Sequence, residues 1–163
     1  MLVGPGLGRE AETLALAADI ARQATVPLVI DADALQPGVV GAGTAPRILT
    51  PHAGEYARIE GSLAGDPVVV RKGPVTRVTQ GGMTYHGFFG GPVLARGGSG
   101  DLLAGLTAGL LAQTPADPLG AAARGVVWHG LAADALARAR GQVAVSTTAL
   151  LDHLSEALRE ERT

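Results

Sequence analysis

Gly97-Gly98-Ser99-Gly100-Asp101 runs directly into Leu102-Leu103-Ala104-Gly105-Leu106, an apolar, small-residue stretch with helical spacing. A glycine-rich loop at a helix start leaves backbone N–H groups unpaired and aimed at one point, where the positive end of the helix dipole adds to them. A phosphate or a developing oxyanion suits that point. A carboxylate would repel a resting anion, so Asp101 fits better as a base that takes a proton from a hydroxyl attacking a phosphoryl group. In that reading the N–H groups of Gly98, Ser99 and Gly100 form the anion hole. The other reading of the same residues is a helix cap, with Ser99 or Asp101 as the capping side chain.

Other chemistry-bearing residues sit where short apolar runs end. Pro27-Leu28-Val29-Ile30 ends at Asp31, with Asp33 just beyond; Arg47-Ile48-Leu49-Thr50 leads to His52 and Glu55; Val68-Val69-Val70-Arg71 ends at Lys72, the only lysine in the chain. Buried runs of this kind are the pattern of parallel strands, and polar residues at their C-terminal ends converge on one sheet edge, where ligands bind. Residues 2–8 read as a strand end breaking into a glycine turn, and 9–24 as an amphipathic helix with Leu14, Ala17, Ala18 and Ala21 on one face. Residues 76–79 and 83–86 read as two β segments joined at Gln80-Gly81-Gly82. Helices are expected over 101–113 (Leu103, Leu106 and Leu110 inward), 118–139 (Leu119, Ala122, Ala123 and Val126) and 147–160 (Leu151, Leu154 and Leu158), the last ending in a solvated Arg159-Glu160-Glu161-Arg162. Strands alternating with helices, then a hairpin and a helical block, predict a single α/β three-layer domain over 1–163 with a mainly parallel sheet. Asp31 and Asp33 suit either capping of their turn or a Mg²⁺ held through water. His129, inside an apolar helix, reads as a core or interface histidine.

Composition bounds the class. The 163 residues are 47% hydrophobic and 17% charged, with a net charge of −2 and no cysteine. That is a globular chain without the basic excess of a nucleic-acid binder, without thiolate metal sites, and compatible with the cytoplasm. No stretch has the apolar length of a membrane span.

Taken in order, Gly4-Pro5-Gly6-Leu7-Gly8, Asp31-Ala32-Asp33-Ala34-Leu35, Leu49-Thr50-Pro51-His52-Ala53-Gly54-Glu55, Lys72-Gly73-Pro74-Val75-Thr76 and Gly97–Asp101 resemble the NAD(P)H-hydrate dehydratases, across essentially the whole chain. The resemblance implies a ribokinase-like α/β/α fold and a two-stage reaction. A hydroxyl on the damaged nicotinamide ring of hydrated NADH or NADPH (NADHX, NADPHX) is phosphorylated from ADP or ATP with Mg²⁺, and loss of phosphate restores the dinucleotide. It implies that Lys72, Gly73, Pro74, Val75, Thr76 and Gly100 contact the adenine nucleotide, and that Gly6, Gly8, His52 and Asp101 border the hydrated dinucleotide. It also implies a homo-oligomer. Neither the resemblance nor the spacing supplies a protein metal-ligand set.

Two departures accompany it. Where the family carries a Thr-Gly-Asn segment ahead of the glycine loop, this chain reads Phe88-Phe89-Gly90-Gly91-Pro92. Family members also carry further strands before the glycine turn. On that comparison, an uncovered sheet edge, exposed apolar helix faces and low activity of the isolated chain are expected. The competing readings are a ribokinase-like small-molecule kinase and a non-catalytic nucleotide-binding fragment.

Overall fold

Each of three apolar runs is entered directly through a proline, Pro27, Pro46 or Pro67, and each forms a short buried strand. The computed structural model describes residues 1–159. Its elements in order are β1 (Leu2–Val3), α1 (Ala11–Gln23), β2 (Leu28–Ile30), α2 (Pro37–Val40), β3 (Arg47–Leu49), α3 (Ala53–Ile59), β4 (Val68–Arg71), β5 (Thr76–Gln80), β6 (Met83–Gly87), α4 (Ser99–Gln113), α5 (Pro118–Arg140) and α6 (Leu154–Ala157). One sheet holds all six strands in the order β1-β2-β3-β4-β5-β6. The pairs from β1 to β4 are parallel, and β5 and β6 add antiparallel. The β5–β6 loop is Gly81-Gly82, both at positive φ (54° and 81°), the backbone that a tight two-residue hairpin requires.

Because successive side chains on a strand point to opposite faces, the strands feed two cores. Leu28, Ile30 and Leu49 pack with Ala17, Ala21, Val39, Val40 and Ile59, so α1, α2 and α3 cover one face. Val29, Ile48, Val68, Val70 and Val78 pack with Leu103, Ala104, Leu111, Leu119, Ala122 and Val126, so α4 and α5 cover the other. Crossovers that all step the same way along a parallel sheet place their helices on one side. That leaves the second face to the C-terminal helices. The three-layer expectation is met.

Arg47 shows how tightly the lower edge is tied. It is 4% exposed and donates from Nη1 to the Val40 and Ala42 carbonyls and from Nε to that of Ala45. The chain leaving α2 is thus held by one guanidinium, whose pKa burial lowers from its usual value.

Three sequence expectations change. In α4 the buried stripe is Leu103, Ala104, Thr107 and Leu111, while Leu106 and Leu110 are only partly covered. Leu110 still packs against the core, and both side chains also line an open groove of about 400 Å³ with Asp101, Leu102, Trp128 and Leu151. The helix is apolar all round, so its pattern could not choose a face. In α5 the stripe takes in Ala121 in place of Ala123. Residues 147–153 wind as a 3₁₀-helix before the short α6, with Ser146 accepting from the Ala149 N–H. Three residues per turn rotate the inward face. Ala149, Leu150 and Ala157 are therefore buried, while Leu151 and Leu158 are 48% and 67% exposed. Residues 160–162 of the expected charged end lie outside the described residues.

Candidate functional site at the C-terminal edge of the sheet

Every strand end singled out in the sequence opens onto the same edge. After β1 the chain turns at Gly4, whose φ of 131° brings its Cα against the Asp31 carbonyl; an added Cβ would lie 1.8 Å from that oxygen. Gly6 is exposed and open, whereas the Gly8 N–H donates to Asp33 Oδ2 at 3.1 Å. Asp33 Oδ1 takes Arg9 at 2.9 Å. Asp33 is thus the anchor of the glycine turn.

Ala32, between the two aspartates, has a φ of 51° and is the only non-glycine residue at positive φ among the described residues. Such backbone is strained, on the order of 1 kcal/mol or more. It lets Asp31 and Asp33 serve different partners. Asp31 is 1% exposed, and its Oδ1 accepts from Lys72 Nζ at 3.0 Å. Asp31 Oδ2 is buried without a hydrogen-bond partner. Neither aspartate caps the turn through its side chain.

His52 caps α3. Its Nδ1 accepts from the Gly54 and Glu55 N–H groups at 3.1 and 3.2 Å, and Glu55 Oε2 accepts from the His52 N–H at 2.8 Å. This is a reciprocal capping box with histidine in the place of serine or threonine. With Nδ1 accepting, the ring proton sits on Nε2, and the side chain stays 61% exposed toward the edge. A parallel bridge from His52 to Lys72 sets α3 and the end of β4 side by side. Lys72 Nζ consequently lies 3.9 Å from Glu55 Oε2 as well as against Asp31. Beyond it Gly73 and Pro74 are exposed, and Val75 and Thr76 half-buried at the start of β5.

The glycine loop lies over this pair. A Cβ on Gly100 would stand 3.0 Å from Lys72 Nζ and 3.9 Å from Asp31 Oδ2. Gly98, at φ 83°, is the N-cap of α4 and makes no side-chain cap. Ser99 is buried, its Oγ 3.5 Å from His129 Nε2 and its N–H donated to the Arg96 carbonyl at 3.3 Å. Asp101 is exposed on the first turn. Among the described residues, the N–H groups of Gly98, Gly100 and Asp101 and the Asp101 carboxylate have no protein partner. The capping alternative therefore does not hold for either side chain.

Sequence reasoning missed what fixes this loop. Arg96 donates to the carbonyls of Gln142, Val143 and Val145, and Thr147 Oγ1 donates to the Gly97 carbonyl at 2.8 Å, so the 141–147 segment is strapped to the loop. The usable signal was an arginine directly before the glycines. Burial pushes the His129 pKa down to about 4, so the ring behind Ser99 is neutral.

The family profile described as NAD(P)H-hydrate dehydratase matches residues 1–156. The chain belongs to that family. A bifunctional NAD(P)H-hydrate repair enzyme of Thermofilum pendens is 40% identical over 187 residues, covering 98% of this chain and 35% of its own length. The ADP-dependent (S)-NAD(P)H-hydrate dehydratase of Listeria monocytogenes is 32% identical, covering 86% of this chain and 56% of its own. A Bacillus subtilis ADP/ATP-dependent NAD(P)H-hydrate dehydratase, co-crystallised with ATP and Mg²⁺, superposes with a TM-score of 0.83 at 28% identity, covering 97% of this chain and 63% of that one. A hydroxyethylthiazole kinase of Pyrococcus horikoshii, at 21% identity and a TM-score of 0.77, shares the fold. This NAD(P)H-hydrate dehydratase family chain thus spans between about a third and two-thirds of the length of these enzyme relatives.

One prediction arises directly from the packing. Gly100→Ala puts a methyl 3.0 Å from the Lys72 ammonium, the mobile end of a side chain, so the fold survives while Lys72 shifts by a few tenths of an ångström against Asp31. If Lys72 meets the adenine nucleotide, affinity read by titration calorimetry is expected to fall a few-fold, by less than ~1.4 kcal/mol. Unchanged affinity would separate Lys72 from the nucleotide.

Proposed function

We propose that this chain carries out nucleotide-dependent dehydration of the S epimer of hydrated NADH or NADPH, with ADP or ATP as phosphoryl donor. The observation that carries the reading is the unpaired Asp101 carboxylate beside the free N–H groups of Gly98 and Gly100, stacked over the Asp31–Lys72 pair. The Listeria relative's ADP-dependent (S)-specific dehydratase activity and the Bacillus relative's crystallisation with ATP and Mg²⁺ support the choice of substrates.

Asp101 takes the proton from the ring hydroxyl as its oxygen bonds to the terminal phosphorus. The bond from that phosphorus to the bridging oxygen of the nucleotide breaks. The N–H groups of Gly98 and Gly100 face the charge on the transferred group. Lys72 meets the nucleotide phosphates, with Gly73 to Thr76 along its flank. Asp31 keeps Lys72 oriented beneath the loop. Gly6, Gly8 and His52 border the damaged ring; His52 offers it the exposed face of its imidazole, with Nδ1 engaged by α3 and Nε2 3.4 Å from Glu55 Oε1. The ring C–O bond then breaks with loss of phosphate. The ring nitrogen's electron pair assists, and loss of the adjacent C–H proton restores the double bond.

Among the described residues no group of three or more His, Asp or Glu could hold a metal by itself. The donor set fits a Mg²⁺ carried by phosphates and touched by one or two carboxylates. Asp31, with a buried free oxygen, and Glu55 are the residues that would meet it, and it would neutralise phosphate charge there.

No helix among the described residues is long and apolar enough to cross a membrane, and the cysteine-free chain suits a cytoplasmic dehydratase that works as a homo-oligomer. The test of the reaction type is product stoichiometry. One inorganic phosphate per reduced dinucleotide recovered is expected. A stable phosphorylated product without phosphate release would move the chain to the small-molecule kinases.

A further inference from the structure

Two arginines bracket the Lys72–Thr76 loop. Arg71 closes β4 immediately before Lys72, and Arg77 follows Thr76 at the start of β5. The two are direct partners across the antiparallel pair, and Arg77 is in turn the partner of His86 on β6. Cross-strand partners share a face, and side chains alternate along each strand. Val68, Val70 and Val78 enter the core beneath α4 and α5, so Arg71, Arg77 and His86 form a row on the opposite face. Tyr56 of α3 marks that side, with the Arg71 guanidinium over its ring, 4.2 Å from the centroid. Beyond Tyr56 the face is open, and Arg77 and His86 are exposed. His86 stacks on Phe88 with ring centroids 6.2 Å apart, and Phe88 is itself 75% exposed.

Like charges placed directly opposite one another destabilise a sheet. Acids are not scarce, at 15 Asp and Glu against 13 Lys and Arg, yet among the described residues neither arginine has an ion-pair partner. The row also begins beside the site. Tyr56 stands one helical turn after His52 on α3, and His52 bridges to Lys72. From β4 the row crosses two strand spacings, about 10 Å, to β6. A phosphomonoester carries roughly −1.5 to −2 charge at pH 7 and three acceptor oxygens, which two guanidiniums complement. The bridging phosphates of a dinucleotide carry only a single charge each. The donor's terminal phosphate belongs to the other face, where Lys72 meets Asp31 and Gly100.

We infer that Arg71 and Arg77 form a phosphomonoester subsite for the adenosine half of the hydrated dinucleotide, so that this chain favours the 2′-phosphorylated substrate, hydrated NADPH, over hydrated NADH. From the damaged ring at His52 the dinucleotide passes Tyr56 to reach the two guanidiniums, and the His86–Phe88 stack offers a ring face to the adenine. A nucleic-acid strand is the poorer occupant, because two arginines in a chain of net charge −2 cannot follow a polyanionic backbone. The identity of the ligand rests on the dehydratase reading, whereas the subsite is tested by binding alone.

Titration calorimetry of the full chain with NADPH and with NADH, the products of that reaction, tests it. Wild type is expected to bind NADPH at least about tenfold tighter than NADH. Arg77→Gln and Arg71→Gln are each expected to narrow that gap to about twofold, with far-UV circular dichroism unchanged and ADP affinity within about twofold of wild type. The gap is also expected to shrink as salt rises. Equal affinity of wild type for the two dinucleotides, no measurable binding of either, or a gap that survives both substitutions would overturn the proposal. An equal fall in ADP and NADPH affinity would overturn it too, by giving the arginines to the phosphoryl donor. Preference for NADPH in a chain that turns over neither hydrate would retain the subsite and remove the dehydratase reading instead.

Discussion

Asp101→Asn is expected to lower turnover of hydrated NADH by about 10²–10⁴-fold, the range for losing a positioned general base. Adenine-nucleotide affinity is expected to stay nearly unchanged. The asymmetry follows from the geometry. Asp101 is exposed and unpaired, so the amide leaves no buried partner stranded and the fold is untouched. In the proposed reading the nucleotide is held by Lys72 and by N–H groups of the loop, which the substitution leaves in place. Removing a negative charge beside bound phosphates acts in favour of binding, if at all. Paired measurements of turnover and nucleotide titration on the two proteins check this. Equal turnover would remove Asp101 from the reaction, and lost nucleotide binding would make it a binding residue instead.

His129 supplies the second large effect, on stability. Its ring is 3% exposed, and burial lowers its pKa from 6.5 to about 4. The unfolded chain therefore binds a proton below pH 6.5 that the folded chain refuses until about pH 4. The folded state binds fewer protons in that window, so stability is fully present above the unfolded pKa and is lost as pH falls. The whole window is worth on the order of 3 kcal/mol, and about 2 kcal/mol of it is gone by pH 5. Denaturation midpoints measured between pH 7 and 5, above most carboxylate titration, are expected to fall in wild type and to stay much flatter in His129→Asn. Equal slopes would show that the ring is not the group responsible. The site shares in the effect, because the imidazole backs Ser99, the residue between the two N–H donors of the loop.

The framework was readable because parallel strands leave strong marks. Leu28-Val29-Ile30 and Val68-Val69-Val70 are unbroken apolar runs that only a strand covered on both faces needs, and each ends on a charged or polar side chain at the ligand edge. The hairpin announced itself through Gly81-Gly82. What stayed hidden depends on contacts distant in sequence. Ser99 could cap α4 or face inward, and His129, thirty residues on, decides it by sitting behind Ser99. Asp31 and Asp33 look alike in the chain. Only the left-handed Ala32 and the arrival of Lys72 and Gly8 give one the ammonium and the other the glycine turn. His52 was legible as a group at the ligand edge, but its capping of α3 through Nδ1 was not, since histidine is outside the usual set of cap residues. The end of the chain misled for a local reason: Leu151, Leu154 and Leu158 have helical spacing, yet the first of them lies in a 3₁₀ segment that turns it outward.

The most direct test of the central claim is recovery of reduced nicotinamide absorbance from purified (S)-NADHX by this chain, with ADP, with ATP and with no nucleotide. Recovery that requires nucleotide, even if slow, and that disappears in Asp101→Asn is the expected result. No recovery with either nucleotide, or the same rate without one, would contradict a phosphoryl-transfer dehydratase at this sheet edge.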